Sequence, residues 1–282
     1  MGMITQCKKM LADRLQIAAM TKNPSDKVKA GCPGCRAPQH RFDIAMAFQP
    51  IVDCDTGVPF AFEALVRGAD GEGAAQVLAQ VTEQNRYAFD QQCRVAAIKG
   101  AVDAGILDTD ARLSINFLPN AVYSPVACIQ LTLQTAREVG FPTERLIFEF
   151  TENEHMADAD HVGLIVETYR KMGFGTALDD IGAGYAGLGL LAQIQTDYIK
   201  LDMELIRGID SSDRKRVIVD GVVQMAKRLG ITVIAEGIET EGEFNTLRLL
   251  GIRYVQGYLL ARPALRALPA IEMAPSPRSA AA

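Results

Sequence analysis

Ala177-Leu178-Asp179-Asp180-Ile181-Gly182-Ala183-Gly184-Tyr185 is the stretch around which the rest of this chain reads. The apolar run 175–178 predicts a short buried strand. It ends in two adjacent acids, followed by glycines that permit a tight turn or mobile loop before a helix from Leu188. Adjacent carboxylates at a strand end repel one another, so their charge has to be offset. A hard divalent cation bound through oxygen, Mg²⁺ or Mn²⁺, would do so. The stretch alone also admits a polar strand-to-helix turn with Asp180 near a helix start, where acids are common.

On both sides the same unit recurs. Short apolar runs fall at 45–52, 60–66, 113–117, 146–150, 175–178, 198–201, 232–235 and 254–255, with helix-like segments at 75–104, 125–139, 160–172, 214–229 and 241–250. The first two runs are too close for a helical crossover and predict an antiparallel hairpin around Thr56-Gly57. Alternating strands and helices imply an α/β fold with a mainly parallel sheet. Eight strands fit a modified (β/α)₈ TIM-type barrel with one antiparallel strand. A doubly wound sheet fits less well, since no Gly-rich dinucleotide fingerprint follows a first strand. The expected organisation is an N-terminal segment at 1–41, a barrel domain at 42–268 and a Pro-containing tail at 269–282.

The 282 residues, 49% hydrophobic and 22% charged, exclude disorder of the whole chain. A net charge of -5 argues against a nucleic-acid polymer as partner. No stretch approaches the roughly 18 consecutive apolar residues of a membrane span. Lys8, Lys9, Asp13 and Arg14 interrupt the start where a secretory leader needs an apolar core. A cytoplasmic protein with reduced cysteines is therefore expected. Met3, Ile4, Cys7, Met10, Leu11, Leu15 and Ala18 have the spacing of a short N-terminal amphipathic helix. The looser segment after it carries Cys32-Pro33-Gly34-Cys35 and His40. With Cys7 these offer the thiolate and imidazole ligands that Zn²⁺ prefers; a redox pair and an unligated surface loop are the alternatives. This segment is also where an unknown regulatory protein would dock.

In a parallel barrel the carboxyl ends of all strands converge on one face. Polar residues fall there along the whole chain: Glu63, Asn116, Glu149, Asp179 with Asp180, Lys200, Glu236 and Gln256. Singly, each reads as a solvated strand end or a helix cap. Together they form an acidic ring with one lysine and two amides, a set suited to metal-assisted hydrolysis. Carboxylates would hold one or two divalent ions with Asp179 as bridge, Lys200 would orient water, and Glu236 would take a proton. Arg67, four residues after Glu63, suits a bidentate phosphate clamp or a surface salt bridge.

These residues resemble a known family, the EAL-domain cyclic di-GMP phosphodiesterases. Gln49-Pro50-Ile51, Glu63-Ala64-Leu65-Val66-Arg67, Ser114-Ile115-Asn116, Glu149-Phe150-Thr151-Glu152, Asp179-Asp180-Ile181-Gly182-Ala183-Gly184-Tyr185, Lys200-Leu201-Asp202, Ala235-Glu236-Gly237-Ile238-Glu239-Thr240 and Gln256-Gly257-Tyr258 match its motifs in order. The resemblance implies an enzyme cutting one phosphodiester of cyclic di-GMP with two Mg²⁺ or Mn²⁺ ions, commonly as a homodimer. By motif, Glu63, Asn116, Glu149 and Asp179 would ligate one metal, and Asp179 with Asp180 the second. Lys200 would position water, and Glu236 would be general base or second-metal partner. Gln49, Arg67 and Gln256 would meet substrate, Glu152 would anchor the loop after Asp180, and Glu239 and Gln256 would support the site. Ile181 stands where the family usually has Phe, and Ala186-Gly187 where a serine is usual, implying a looser loop. Gly68 follows Arg67 where an aromatic is more usual, implying an altered guanine pocket. The alternative that the resemblance leaves is a cyclic di-GMP receptor or docking module without catalysis.

Overall fold

The computed structural model describes residues 41–151, 159–183 and 187–272. Strands β1 (Ile44–Asp53) and β2 (Pro59–Gly68) form the expected antiparallel hairpin, with Gln49 opposite Glu63. Local chemistry sets its turn. Asp53 Oδ1 accepts from the Asp55 N–H at 2.9 Å, and its carbonyl accepts from Gly57 N–H at 2.7 Å. Gly57 turns the chain at φ 74°, where a side chain would be strained.

From β2 the sheet runs in sequence order and parallel through β3 (Arg112–Asn116), β4 (Leu146–Thr151), β5 (Gly175–Ile181), β6 (Tyr198–Leu201), β7 (Thr232–Ala235) and β8 (Tyr254–Val255). Strand β8 then pairs antiparallel with β1 at Val52 and Asp53 and closes an eight-stranded barrel. A ninth strand, β9 (Ala264–Leu265), pairs with β1 further along, at Ala47 and Phe48. Ala264-Leu265 directly follows Pro263, a residue that argues against a strand, and no run in the sequence marks β9.

Each strand divides its side chains between two environments, because successive residues face opposite ways. In β4, Leu146, Phe148 and Phe150 join the large outer core. That core includes Ala97, Ile98 and Ala101 of the helix Arg86–Asp103 and Val162, Ile165 and Tyr169 of the helix Ala159–Lys171. Ile147 faces the other way into a small plug with Ile51, Ala61, Ala177 and Ile234, packed by Phe60, Tyr198 and Tyr254. Fully burying a side chain of Ile or Phe size is worth about 1.5–3 kcal/mol, so both layers contribute. Advancing two residues from the plug keeps the same face and climbs one layer. Ala61 leads to Glu63, Ile147 to Glu149, Ala177 to Asp179, Tyr198 to Lys200, Ile234 to Glu236 and Tyr254 to Gln256. Since β1 runs the other way, Ile51 leads back to Gln49.

Two helices differ from their expected form. The segment expected at 75–104 is interrupted between the helices Ala74–Leu78 and Arg86–Asp103. There Asn85 Nδ2 donates to the Gln80 carbonyl at 2.9 Å, and its Oδ1 accepts from Thr82 N–H at 2.6 Å, bonds that compete with the helical ladder. The segment expected at 125–139 is likewise split at Ile129. Among the described residues no helix is long and apolar enough to cross a membrane. The amphipathic N-terminal helix, the Cys7/Cys32/Cys35/His40 zinc set and the tail beyond Glu272 lie outside the described residues.

Candidate active site

Lys200 stands at the centre of the layer above the plug. Its ammonium, fully buried, lies 2.6 Å from Glu236 Oε1, 2.8 Å from Glu149 Oε2, and 3.3 Å from both Glu63 Oε2 and Asp179 Oδ2. Amides and a hydroxyl orient the acids from behind. Asn116 Nδ2 donates to Glu63 Oε1 and Gln256 Nε2 to Glu63 Oε2, both at 2.9 Å, and Ser114 Oγ donates to Glu149 Oε1. Gln256 also donates to Gln49 Oε1 at 3.1 Å, and Gln49 in turn to the Ala261 carbonyl at 3.1 Å. Gln49 and Gln256 are thus buried behind Glu63, steering its carboxylate.

The strand β5 runs further than its apolar run implies, through both aspartates to Ile181. Pairing with β6 breaks between Leu178 and Ile181, and Asp180 sits in the bulge at φ 60°. A left-handed backbone is uncommon outside glycine but tolerated best by Asn and Asp. The bulge suspends the alternation of facing, which lets two neighbouring acids serve one end of the barrel. Asp179 Oδ1 accepts from the Asp180 N–H at 2.8 Å and so fixes the bulge itself. Ile181 is buried in the outer core.

Four carboxylates face one ammonium, and burial together with this imbalance sets their protonation. Burial pushes Glu149 up to about 8 despite Lys200, with Glu63 and Asp179 adding to the rise. Burial and the Asp179 charge push Asp180 up to about 6, and burial raises Asp179 and Glu236 as well. Burial alone would also raise Glu63, but Lys200 with the Gln256 and Asn116 amides overcomes it and holds this carboxyl low. For Lys200, burial pulls down while the four carboxylates hold it well above its ordinary value. Oxygens of Glu63, Glu149 and Asp179 all lie within 4.8 Å of one another. Hard oxygen donors, crowded and short of positive charge, match the needs of Mg²⁺ or Mn²⁺.

The remaining expected residues are placed unevenly. Arg67 lies further along β2 than Glu63, half-buried, with Nη1 donating to the Val66 carbonyl at 2.7 Å. Glu239 pairs with Arg207, which donates to both its carboxylate oxygens. Glu152 and the loop residues 184–186 lie outside the described residues. Sequence reasoning missed three contributors. Ser114 carried a usable signal, sitting two residues before Asn116 and so on its face. Arg207 and Glu243 carried none beyond ordinary helix-end polarity. The Glu243 carboxylate accepts from the backbone N–H groups of Gly208 (2.8 Å), Glu239 (2.9 Å) and Thr240 (3.1 Å). Burial would raise its pKa, but these backbone donors prevail and hold it below the usual range.

The EAL domain family matches residues 36–263 of this chain. The blue light- and temperature-regulated antirepressor BluF of Escherichia coli is 31% identical over 80% of this chain and 55% of its own length. The cyclic di-GMP phosphodiesterase PA2567 of Pseudomonas aeruginosa is 30% identical over 78% of this chain and 38% of its own. The chain therefore spans about half, or less, of the length of these relatives. Among solved structures, a standalone versatile EAL protein from Vibrio cholerae O395 in its c-di-GMP bound form is 46% identical. It has a TM-score of 0.79 and covers 83% of this chain and 97% of that one. The manganese/cy-diGMP complex of BlrP1 from Klebsiella pneumoniae is 35% identical, with a TM-score of 0.74 over 82% of this chain and 59% of that one.

Proposed function

The chain belongs to the EAL domain family, and from that membership and the Lys200 centre we propose that it is a metal-dependent phosphodiesterase. It cuts one phosphodiester of cyclic di-GMP to give linear pGpG, lowering the level of the messenger. The observation that carries this reading is the convergence of Glu63, Glu149 and Asp179 within 4.8 Å of one another beside a buried lysine. The substrate comes from the similar structures that hold it.

Glu63, Glu149 and Asp179 would hold one divalent ion with the Asn116 amide oxygen, and Asp179 with Asp180 a second. Such ions supply Lewis-acid neutralisation of phosphoryl charge and activation of water. Lys200, fixed by its carboxylate partners, orients the attacking water and stabilises negative charge developing on the phosphoryl group. Glu236, a hydrogen-bond length from Lys200 Nζ, is placed to receive the water's proton. Arg67, with most of its donors uncommitted, clamps a substrate phosphate. Gln49 and Gln256 keep the Glu63 carboxylate aimed.

A second reading is a cyclic di-GMP receptor that signals without cleavage, favoured by a relative named an antirepressor. Turnover of cyclic di-GMP with Mg²⁺ or Mn²⁺, against the same protein in chelator, separates the two. Linear product only in the presence of metal supports the enzyme. Tight binding with no product in either metal supports the receptor.

A further inference from the structure

The strands β6 and β7 carry Lys200 and Glu236 to the site, and their regular pairing stops just there, at Leu201 opposite Ala235. One more backbone bond, from Glu236 N–H to the Leu201 carbonyl at 3.1 Å, reaches the edge of the site. Beyond it the two chains part. One continues into the short helix Met203–Ile206 and turns at Gly208; the other runs through Gly237 to Thr240 before the helix Glu241–Leu249. Glu236 stands at the point of parting, one residue past the last paired position.

A single buried side chain ties them together again. The Glu243 carboxylate accepts from Gly208 N–H on the β6 side and from Glu239 and Thr240 N–H on the β7 side. Two neighbouring features bind the same pair of loops. Arg207 grips Glu239 through two hydrogen bonds. Gly237, at φ 69°, packs so closely that an added Cβ would stand 2.2 Å from Met203 Cβ. The tie extends to β8, since Ile238 N–H donates to the Gln256 carbonyl at 3.2 Å and Ile238 O accepts from Leu259 N–H at 3.0 Å.

We propose that Glu243 is a positioning residue, whose carboxylate braces the loops after β6 and β7 and thereby sets the Lys200–Glu236 geometry on which turnover depends. The bland role for the same residue is one half of a capping box, since Thr240 Oγ1 accepts from Glu243 N–H at 3.2 Å. A cap needs only Glu239 and Thr240 from its own side. The Gly208 bond, which crosses to the other loop, is what a cap does not require.

The inference rests on the phosphodiesterase reading, so its test has two readouts: steady-state turnover of cyclic di-GMP with Mn²⁺, and backbone hydrogen exchange of the metal-free protein. Glu243→Ala removes the brace and the cap. Thr240→Val removes the capping hydroxyl and keeps the carboxylate. Glu243→Gln keeps one acceptor oxygen. Small misplacements of reacting groups carry rate penalties approaching 10²-fold, so Glu243→Ala is expected to lower kcat by about 10-fold or more with KM within about 2-fold. Glu243→Gln should recover part of the loss, and Thr240→Val should stay within about 2-fold of wild type in kcat. The Gly208 amide should exchange faster in Glu243→Ala but not in Thr240→Val. Wild-type kcat in Glu243→Ala, or an equal loss in Thr240→Val, would overturn the proposal. If the wild type itself turns nothing over, the functional reading fails and the exchange comparison decides the brace: unchanged protection of Gly208 in Glu243→Ala refutes it.

Discussion

Lys200 and Arg94 are both fully buried cations, and they are compensated in opposite ways. Lys200 is surrounded by an excess of acids, four carboxylates to one ammonium. Arg94 is balanced one to one: its guanidinium lies 2.8 Å from Asp90, Nη1 donates to the Tyr169 hydroxyl at 3.0 Å, and the rings of Phe117 and Phe148 lie against it. Asp90 also accepts from Leu118 N–H at 3.0 Å, tying its helix to the end of β3. Removing one member of such a pair strands the other charge in a dry core. Asp90→Ala is therefore expected to cost about 3–5 kcal/mol in urea unfolding, while replacing both partners by apolar residues costs much less. A loss below about 1 kcal/mol for Asp90→Ala would contradict that account. The two cations also differ in legibility. Lys200 was readable because it breaks an apolar run two residues beyond Tyr198. Arg94 sits in a helix where arginine is ordinary, and only the fold brings the aromatic rings to it. Glu243 was hidden for the same reason, its decisive partner Gly208 being distant in sequence.

At the scale of elements, the barrel depends on the seam where β1 and β8 meet, which has only two paired positions. Arg253 reinforces it, with Nε donating to Asp53 Oδ1 at 3.0 Å and Nη2 to Asp53 Oδ2 at 2.6 Å. The Arg253 hydrogen bond holds the Asp53 carboxyl below the usual carboxylate range, against the opposing pull of burial. A depressed carboxyl pKa stabilises the native state fully above the unfolded value near 3.9 and loses that contribution as pH falls through the lower native value. Asp53→Asn should accordingly lower stability at neutral pH and flatten the acid limb of a pH series of urea unfolding. An acid limb as steep as that of the wild type would contradict the role of the pair. Arg253 is half exposed, so salt should weaken the effect. The hairpin beside this seam was legible from its short connection and Thr56-Gly57. The strand β9 and the interruption before Arg86 were not, because one directly follows a proline and the other is made by Asn85 side-chain bonds.

For the whole molecule, the barrel turns a one-dimensional pattern into a three-dimensional site. A polar residue two steps beyond a plug residue, repeated on successive parallel strands, has to arrive in one ring at one end of the barrel. That is why the fold class and the acidic ring were readable together, and why eight strands could be placed from apolar runs alone. The exact partnership within the ring was not readable: the steering of Glu63 by Gln256 and Asn116, and the bulge that presents Asp180, arise from neighbours that only closure of the barrel creates. Within the ring the same closure makes Glu63 the most connected acid, touching Asn116, Gln256 and Lys200. The most direct measurement is the initial rate of linear dinucleotide formation from cyclic di-GMP with Mg²⁺ or Mn²⁺, wild type beside Glu63→Ala. The account predicts a wild-type rate at least about 10²-fold above the variant, as expected when a group that organises transition-state charge is lost; equal rates under both metals would contradict it.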